Sequence, residues 1–126
     1  PSSKPGSPRR GNRVAAGRRY ERLAADFYTN NGFTILARNY RDASREIDLV
    51  ARNGNLIVFV EVKASRCDSY GHPAERVDDR KRAHLAAAAQ RYLADNAIDG
   101  CDLRFDLIAF VNGELEHYPN AFLLDE

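Results

Sequence analysis

Apolar and polar positions recur with two different periods along the chain, and these periods predict two helices and five strands. Apolar residues at helical spacing predict a first helix over residues 14–30 and a second over about 78–96. Short runs rich in β-branched and aromatic residues predict strands over 33–38, 46–52, 55–64, 103–111 and 114–118. The order α-β-β-β-α-β-β indicates an α/β fold with a central mixed β-sheet flanked by helices.

The length of 126 residues fits one domain, which we expect to span residues 14–126. Residues 1–13 are mostly Pro, Ser, Gly and Arg and carry no acidic residue, so they predict a disordered basic arm. This arm is either a solubilising tail or a segment that attracts phosphate. Residues 20–126 hold 13 basic and 18 acidic residues, a net charge of −5, so any contact with nucleic acid must be local.

Several classes of protein are excluded by what the chain lacks. Its longest apolar run, over residues 56–60, is far shorter than the ~18 residues that a membrane span needs. No apolar stretch typical of a secretory signal follows the basic start, so we expect a cytoplasmic protein without a membrane partner. The two cysteines, Cys67 and Cys101, form no CxxC pair, which argues against a disulfide scaffold or a zinc site.

The second and third strands carry the residues that are candidates for a metal or catalytic site. Asn53-Gly54 between them is a strong signal for a two-residue hairpin turn. If these two residues form the whole turn, Glu46 pairs with Glu61 and Asp48 pairs with Phe59. Because strand side chains alternate, one face of this hairpin then holds Glu46, Asp48, Phe59, Glu61 and Lys63. On the fourth strand, the same alternation predicts a structural pair between Arg104 and Asp106.

Asp48 and Glu61 would be diagonal neighbours in this register, with Cβ atoms within about 7 Å. Their repulsion would be relieved by a divalent cation, and we expect Mg²⁺ or Mn²⁺ with Lys63 stabilising charge on a phosphate. The alternative is a solvated face on which the carboxylates pair with Lys63 and Arg45. Two observations count against it: the apolar run 56–60 predicts that both sheet faces are covered, and Asp is disfavoured inside a strand.

Four segments, RRYERLAADF, REIDLV, FVEVKASR and RFDLIAF, together resemble the YraN family of small bacterial proteins, which are similar to restriction-endonuclease-like nucleases of the PD-(D/E)xK type. The resemblance covers about residues 17–123. It implies an αβββαβ core, a metal site at Asp48 and Glu61, and Lys63 as the catalytic lysine. It also implies a further catalytic acid at Glu21 and a phosphate contact at Lys81.

The chain departs from the family pattern at Arg45, where the family usually has Gly before Glu-Ile-Asp-Leu. A bulky cation at this position either crowds the groove or, like Arg41 nearby, adds a contact to nucleic acid. The predicted function is a Mg²⁺- or Mn²⁺-dependent deoxyribonuclease, a phosphodiester hydrolase selective for DNA structure such as branches. The resemblance also implies a homodimer. The alternatives are a catalytically inactive nucleic-acid-binding or adaptor protein on the same fold, and a purely structural protein.

Overall fold

The computed structural model describes residues 10–43, 45–65 and 79–121, which form two helices and one five-stranded sheet. The elements are α1 (Arg10–Asn30), β1 (Thr34–Asp42), β2 (Arg45–Asn53), β3 (Leu56–Ser65), α2 (Asp79–Asp95), β4 (Asp102–Val111) and β5 (Glu114–Tyr118). The strands lie in the order β1-β2-β3-β4-β5, with β3 and β4 parallel and the other neighbours antiparallel. The predicted α/β fold is therefore confirmed, with the αβββαβ core of restriction-endonuclease-like proteins. Neither described helix is long and apolar enough to cross a membrane.

Two apolar clusters lie on opposite faces of the sheet, one under each helix. The α1 cluster joins Ala24 and Tyr28 of the helix to buried strand residues that include Leu49, Val58, Val60 and Ile108. The α2 cluster joins Leu85 and Tyr92 to a second set that includes Ile47, Val50, Ile57, Phe59 and Leu107. Since β3 is covered on both faces, its run of five apolar residues is explained by burial on either side.

Two elements, α1 and β1, are longer than predicted. Helix α1 begins at Arg10, so residues 10–13 are helical and not part of a disordered arm, while residues 1–9 lie outside the described residues. The composition of residues 1–13, mostly Pro, Ser, Gly and Arg, had predicted a later start, yet a helix formed from Val14 onward extends through the poor helix formers Gly11 and Asn12 at modest cost. Strand β1 runs on to Asp42, because its polar end pairs with the start of β2.

The turn between β2 and β3 lies one residue later than predicted. Asn53 pairs with Leu56, so the two turn residues are Gly54 and Asn55. Gly54 has a φ of 61°, a conformation that glycine adopts without steric cost, and this favours Gly54 as the first turn residue. The predicted pairing of Asp48 with Phe59 is therefore wrong, as is that of Glu46 with Glu61. Phe59 pairs with Val50 instead.

A buried carboxylate, Asp106 on β4, ties the α1 side of the sheet together. Tyr28 donates to Oδ2 at 2.7 Å, Arg104 donates to both oxygens at 2.8 Å, and the backbone N–H of Asn120 donates to Oδ1 at 2.9 Å. His117 Nε2 lies 2.8 Å from Oδ2. Burial alone would raise the pKa of Asp106, but these hydrogen bonds outweigh it and hold the pKa below its usual value. The predicted Arg104–Asp106 pair is confirmed, as the centre of a larger network.

Replacing Asp106 by Asn should destabilise the protein by about 3 kcal/mol, because Arg104 loses the charge that compensates it in a partly buried position. Urea unfolding followed by circular dichroism measures the effect. The matched control is Asp102→Asn, an exposed residue on the same strand, which we expect to change stability by less than about 0.5 kcal/mol. Equal small losses in both variants would contradict a stabilising role for the network.

Candidate functional site

The candidate site lies where β2 and β3 stop pairing. The two strands pair from Asn53 and Leu56 up to Leu49 and Val60, and then each continues beside a different neighbour, β2 along β1 and β3 along β4. We call the opening between residues 45–48 of β2 and 61–65 of β3 the fork. Asp48 and Glu61 are the first residues beyond the last pair, so the two carboxylates that were predicted to be diagonal neighbours lie at the apex of the fork.

Asp48 is held at this apex by a backbone group. Its Oδ2 accepts a hydrogen bond of 2.8 Å from the N–H of Val62. Burial first, and then the negative charge of Glu61, raise the pKa of Asp48 to about 7, although the bond from Val62 opposes the shift. Glu21 and Glu46 add smaller contributions in the same direction. The fork therefore concentrates negative charge at a partly buried point.

Glu61 is the buried member of the pair, with 8% of its side chain exposed, and two lysines meet its Oε2 atom. Lys63, two residues further along β3, has its Nζ 3.7 Å away, and Lys81, in the first turn of α2, has its Nζ 2.9 Å away. The alternation of β3 correctly placed Lys63 beside Glu61. The ion pair of Lys81 was not predicted, because a contact between distant segments leaves no periodic signal in the sequence.

The strand alternation that placed Glu46 beside Glu61 breaks in the middle of β2. Ile47 packs in the α2 cluster and Leu49 in the α1 cluster, although residues two apart should share a face. The break lies opposite Asn39, whose φ of 52° is in the left-handed region that Asn tolerates better than most residues. Glu46 consequently lies on the α1 side, and its predicted place on the face of Glu61 is wrong.

On the α1 side the fork is bordered by an open cleft lined by Gly17, Arg18, Glu21, Asn39, Arg41 and Glu46. Asn39 donates a hydrogen bond of 3.2 Å to Glu21 Oε1. This bond ties Glu21, the predicted acid of α1, to the part of β1 that lies opposite Asp48. Arg41 Nη2 lies 3.6 Å from Glu46 Oε1 in a largely exposed ion pair. Asn39 was not predicted as a site residue, because the predicted strand ended at residue 38 and Asn39 lies in the observed extension of β1. Arg45 begins β2, and its side chain lies outside the described part of the structure.

The donor set at the fork fits a hard divalent cation. Across residues 10–43, 45–65 and 79–121, no group of three or more His, Cys, Asp or Glu side chains is arranged to hold a metal, so neither Glu21 nor Glu46 forms a third ligand beside Asp48 and Glu61. Mg²⁺ is usually held by only one or two carboxylates with water and substrate phosphate in the other positions. Burial and the neighbouring charge of Glu61 raise the pKa of Asp48, and a cation bound between the two carboxylates would relieve their repulsion.

The fold and the fork together define an α/β protein with a restriction-endonuclease-like core and a paired-carboxylate site. The sequence model described as "Uncharacterised protein family UPF0102" matches residues 20–110. The chain belongs to this family, which is the YraN family, so the resemblance seen in the sequence is confirmed.

Relatives from several organisms match most of the chain. A UPF0102 protein of Chloroherpeton thalassium is 43% identical over 109 residues, which are 86% of this chain and 83% of the relative. Those of Persephonella marina and Syntrophotalea carbinolica are 39% and 41% identical, over 86% and 90% of this chain and 94% and 95% of their own lengths.

The pKa of Asp48 predicts an unusual dependence of stability on pH. The folded protein keeps a proton on Asp48 up to about pH 7, whereas the unfolded chain releases it near pH 4. Because the folded state binds more protons between these values, the free energy of unfolding of the metal-free protein should fall as pH rises, by about 2–4 kcal/mol from this residue.

Urea unfolding in EDTA at several pH values from 4 to 8 measures this dependence. In Asp48→Asn the decline should be smaller by about the amount assigned to Asp48, while Asp102→Asn should behave as the parent protein does. An identical decline in all three proteins would show that Asp48 titrates normally in the folded state.

Proposed function

We propose that the protein is a Mg²⁺- or Mn²⁺-dependent phosphodiesterase that cuts DNA. The observation that carries the proposal is the pair Asp48 and Glu61 at the apex of the fork, where two carboxylates lie close together at a partly buried point and the charge of Glu61 helps to raise the pKa of Asp48. Charged groups are seldom buried together without a partner, and a hard cation with oxygen ligands is the partner that suits this pair best.

Each residue has a distinct role in this proposal. Asp48 and Glu61 would hold the cation, which when bound supplies Lewis-acid activation of a phosphate oxygen. Lys63, beside Glu61 on the same face of β3, would stabilise the negative charge that develops on the phosphate during attack by water. Glu21, held by Asn39 on the α1 side, would orient water next to Asp48 without itself being a ligand.

DNA is the proposed substrate because the site and its border offer local contacts for phosphate. Arg41 lines the cleft beside the fork, Arg45 begins the strand that carries Asp48, and Lys81 reaches the fork from α2. The net charge of −5 over residues 20–126 does not provide a broad basic face for duplex DNA of any sequence. We therefore propose selection by DNA structure, such as a branch point, over reading of base sequence.

Metal binding should stabilise the folded protein. At a Mn²⁺ concentration about 100 times Kd, the Tm should rise by about 5–10 °C relative to EDTA. Differential scanning fluorimetry measures the shift at a fixed pH near 7.5. Asp48→Asn should abolish it, whereas the exposed carboxylate variant Asp102→Asn should retain it. A shift of the same size in Asp48→Asn would place the metal elsewhere in the protein.

Removing the ammonium of Lys63 should abolish catalysis and preserve the fold. We expect Lys63→Ala to cleave DNA at least about 100-fold more slowly than the parent, because a group aimed at the developing charge is lost. The assay uses a panel of linear, single-stranded and branched DNA with Mg²⁺, Mn²⁺ or EDTA. The control is Arg91→Ala, an exposed cation on α2 about 15 Å along the helix from Lys81.

The outcomes of this assay separate the competing functions. Cleavage by Lys63→Ala at the parental rate would exclude the proposed mechanism. A parent protein that binds DNA but neither cleaves it nor responds to metal would instead be the nucleic-acid-binding or adaptor protein that is the alternative function on this fold.

A further inference from the structure

We propose that Lys81 is a placeholder for the metal: its ammonium occupies the cation position at Glu61 in the metal-free protein and must leave when the metal binds. This inference rests on the proposed metal site at Asp48 and Glu61, and it assigns Lys81 a positioning role that precedes any contact with phosphate. Metal loading and release of Lys81 are then the same event.

The geometry distinguishes Lys81 from the other lysine at the fork. Lys81 Nζ lies 2.9 Å from Glu61 Oε2, within the range of a charge-assisted hydrogen bond, whereas Lys63 Nζ is 3.7 Å from the same oxygen. Lys63 is fixed on the strand that also carries Glu61. Lys81 reaches across from α2, and 38% of its side chain is already exposed, so its ammonium has an open path into solvent.

Electrostatics makes the two cations compete. A buried carboxylate such as Glu61 is costly without a positive partner, and among the described residues Lys81 is the closest one in the metal-free protein. A divalent ion bound to Glu61 would lie within a few ångströms of that ammonium, and like charges at such a separation repel strongly in a partly buried site. The ion therefore binds only as Lys81 moves away, and part of its binding energy is spent on this displacement.

The competition has a consequence for the substrate. A DNA phosphate near the fork offers the displaced ammonium a new partner, and this lowers the cost of displacement. By linkage, the phosphate then strengthens metal binding and the metal strengthens phosphate binding by the same factor. Lys81 would thus favour loading of the metal when substrate is present.

Calorimetric titration of Mn²⁺ into the metal-free protein tests the placeholder. Lys81→Met keeps the length of the side chain and removes its charge, so it should bind Mn²⁺ about tenfold more tightly than the parent. Lys81→Arg retains the competing charge and should bind as weakly as the parent. The matched control is Arg80→Met, which removes an exposed charge from the neighbouring position and should leave the affinity within about twofold.

A second measurement checks the metal-free state. In EDTA, Lys81→Met should have a lower Tm than the parent and than Arg80→Met, because Glu61 loses the ammonium that lies 2.9 Å from its Oε2 atom. In saturating Mn²⁺ the difference from the parent should shrink, since the metal replaces Lys81 in both proteins.

The results separate this inference from the proposed function. Parental or weaker Mn²⁺ affinity in Lys81→Met would overturn the placeholder, and the proposed function would still stand if Asp48→Asn abolishes binding by the parent. Absence of Mn²⁺ binding in both the parent and Lys81→Met would overturn both. Equally tighter Mn²⁺ binding in Lys81→Met and Arg80→Met would show that loss of any nearby positive charge strengthens binding. This result would also overturn the placeholder role of Lys81.

Discussion

The parting of β2 from β3 beyond the Leu49–Val60 pair is the constraint on which the candidate site depends. In a continuous antiparallel ladder the N–H of Val62 would bond to a backbone carbonyl, and Asp48 would be one more side chain on a closed sheet. At the fork this N–H is satisfied by the Asp48 carboxylate. An acidic side chain thus substitutes for a missing strand partner, and the sheet tolerates the opening because the exposed backbone donor is paired.

Two acids of the same type show opposite solutions to burial. Asp106 receives hydrogen bonds from Tyr28, Arg104 and a backbone amide and keeps a low pKa, as expected of a group that stabilises the fold. Asp48 receives one backbone hydrogen bond and faces other carboxylates, and its pKa rises. A chain that can build the first arrangement has the means to satisfy the second acid too. The raised pKa of Asp48 is the kind of departure from stability that is expected at a functional site, in line with the proposed function.

The regular parts of the fold could be predicted from the sequence, because they leave local patterns. The order of the elements, the two covered faces of β3 and the Arg104–Asp106 pair follow from periodicity, alternation and turn chemistry. The closeness of Asp48 and Glu61 was also predicted, although through a register two residues away from the true one. A shift of two residues preserves the alternation of side chains. The error therefore changed the cross-strand partners of the β3 residues but not the face of the sheet on which each β3 side chain lies.

The remaining features could not be predicted because their causes are not periodic. The alternation of side chains along β2 breaks at Asp48, opposite the left-handed Asn39 of β1, and Glu46 lies on the α1 side as a result. The ion pair of Lys81 with Glu61 joins α2 to β3, the central strand of the sheet. Both depend on how the chain packs in three dimensions, and a single sequence records neither.

The fork also has a mechanical consequence. Asp48 belongs to the ribbon formed by β1 and β2, Glu61 belongs to the ribbon formed by β3 and β4, and a ladder of five pairs is what joins β2 to β3. Neighbouring strands are rotated relative to one another by the twist of the sheet. The separation of the two carboxylates accordingly depends on the angle between the two ribbons, and the ladder between β2 and β3 fixes that angle. The packing of small and large apolar residues along that ladder therefore sets the separation of the two carboxylates from a distance.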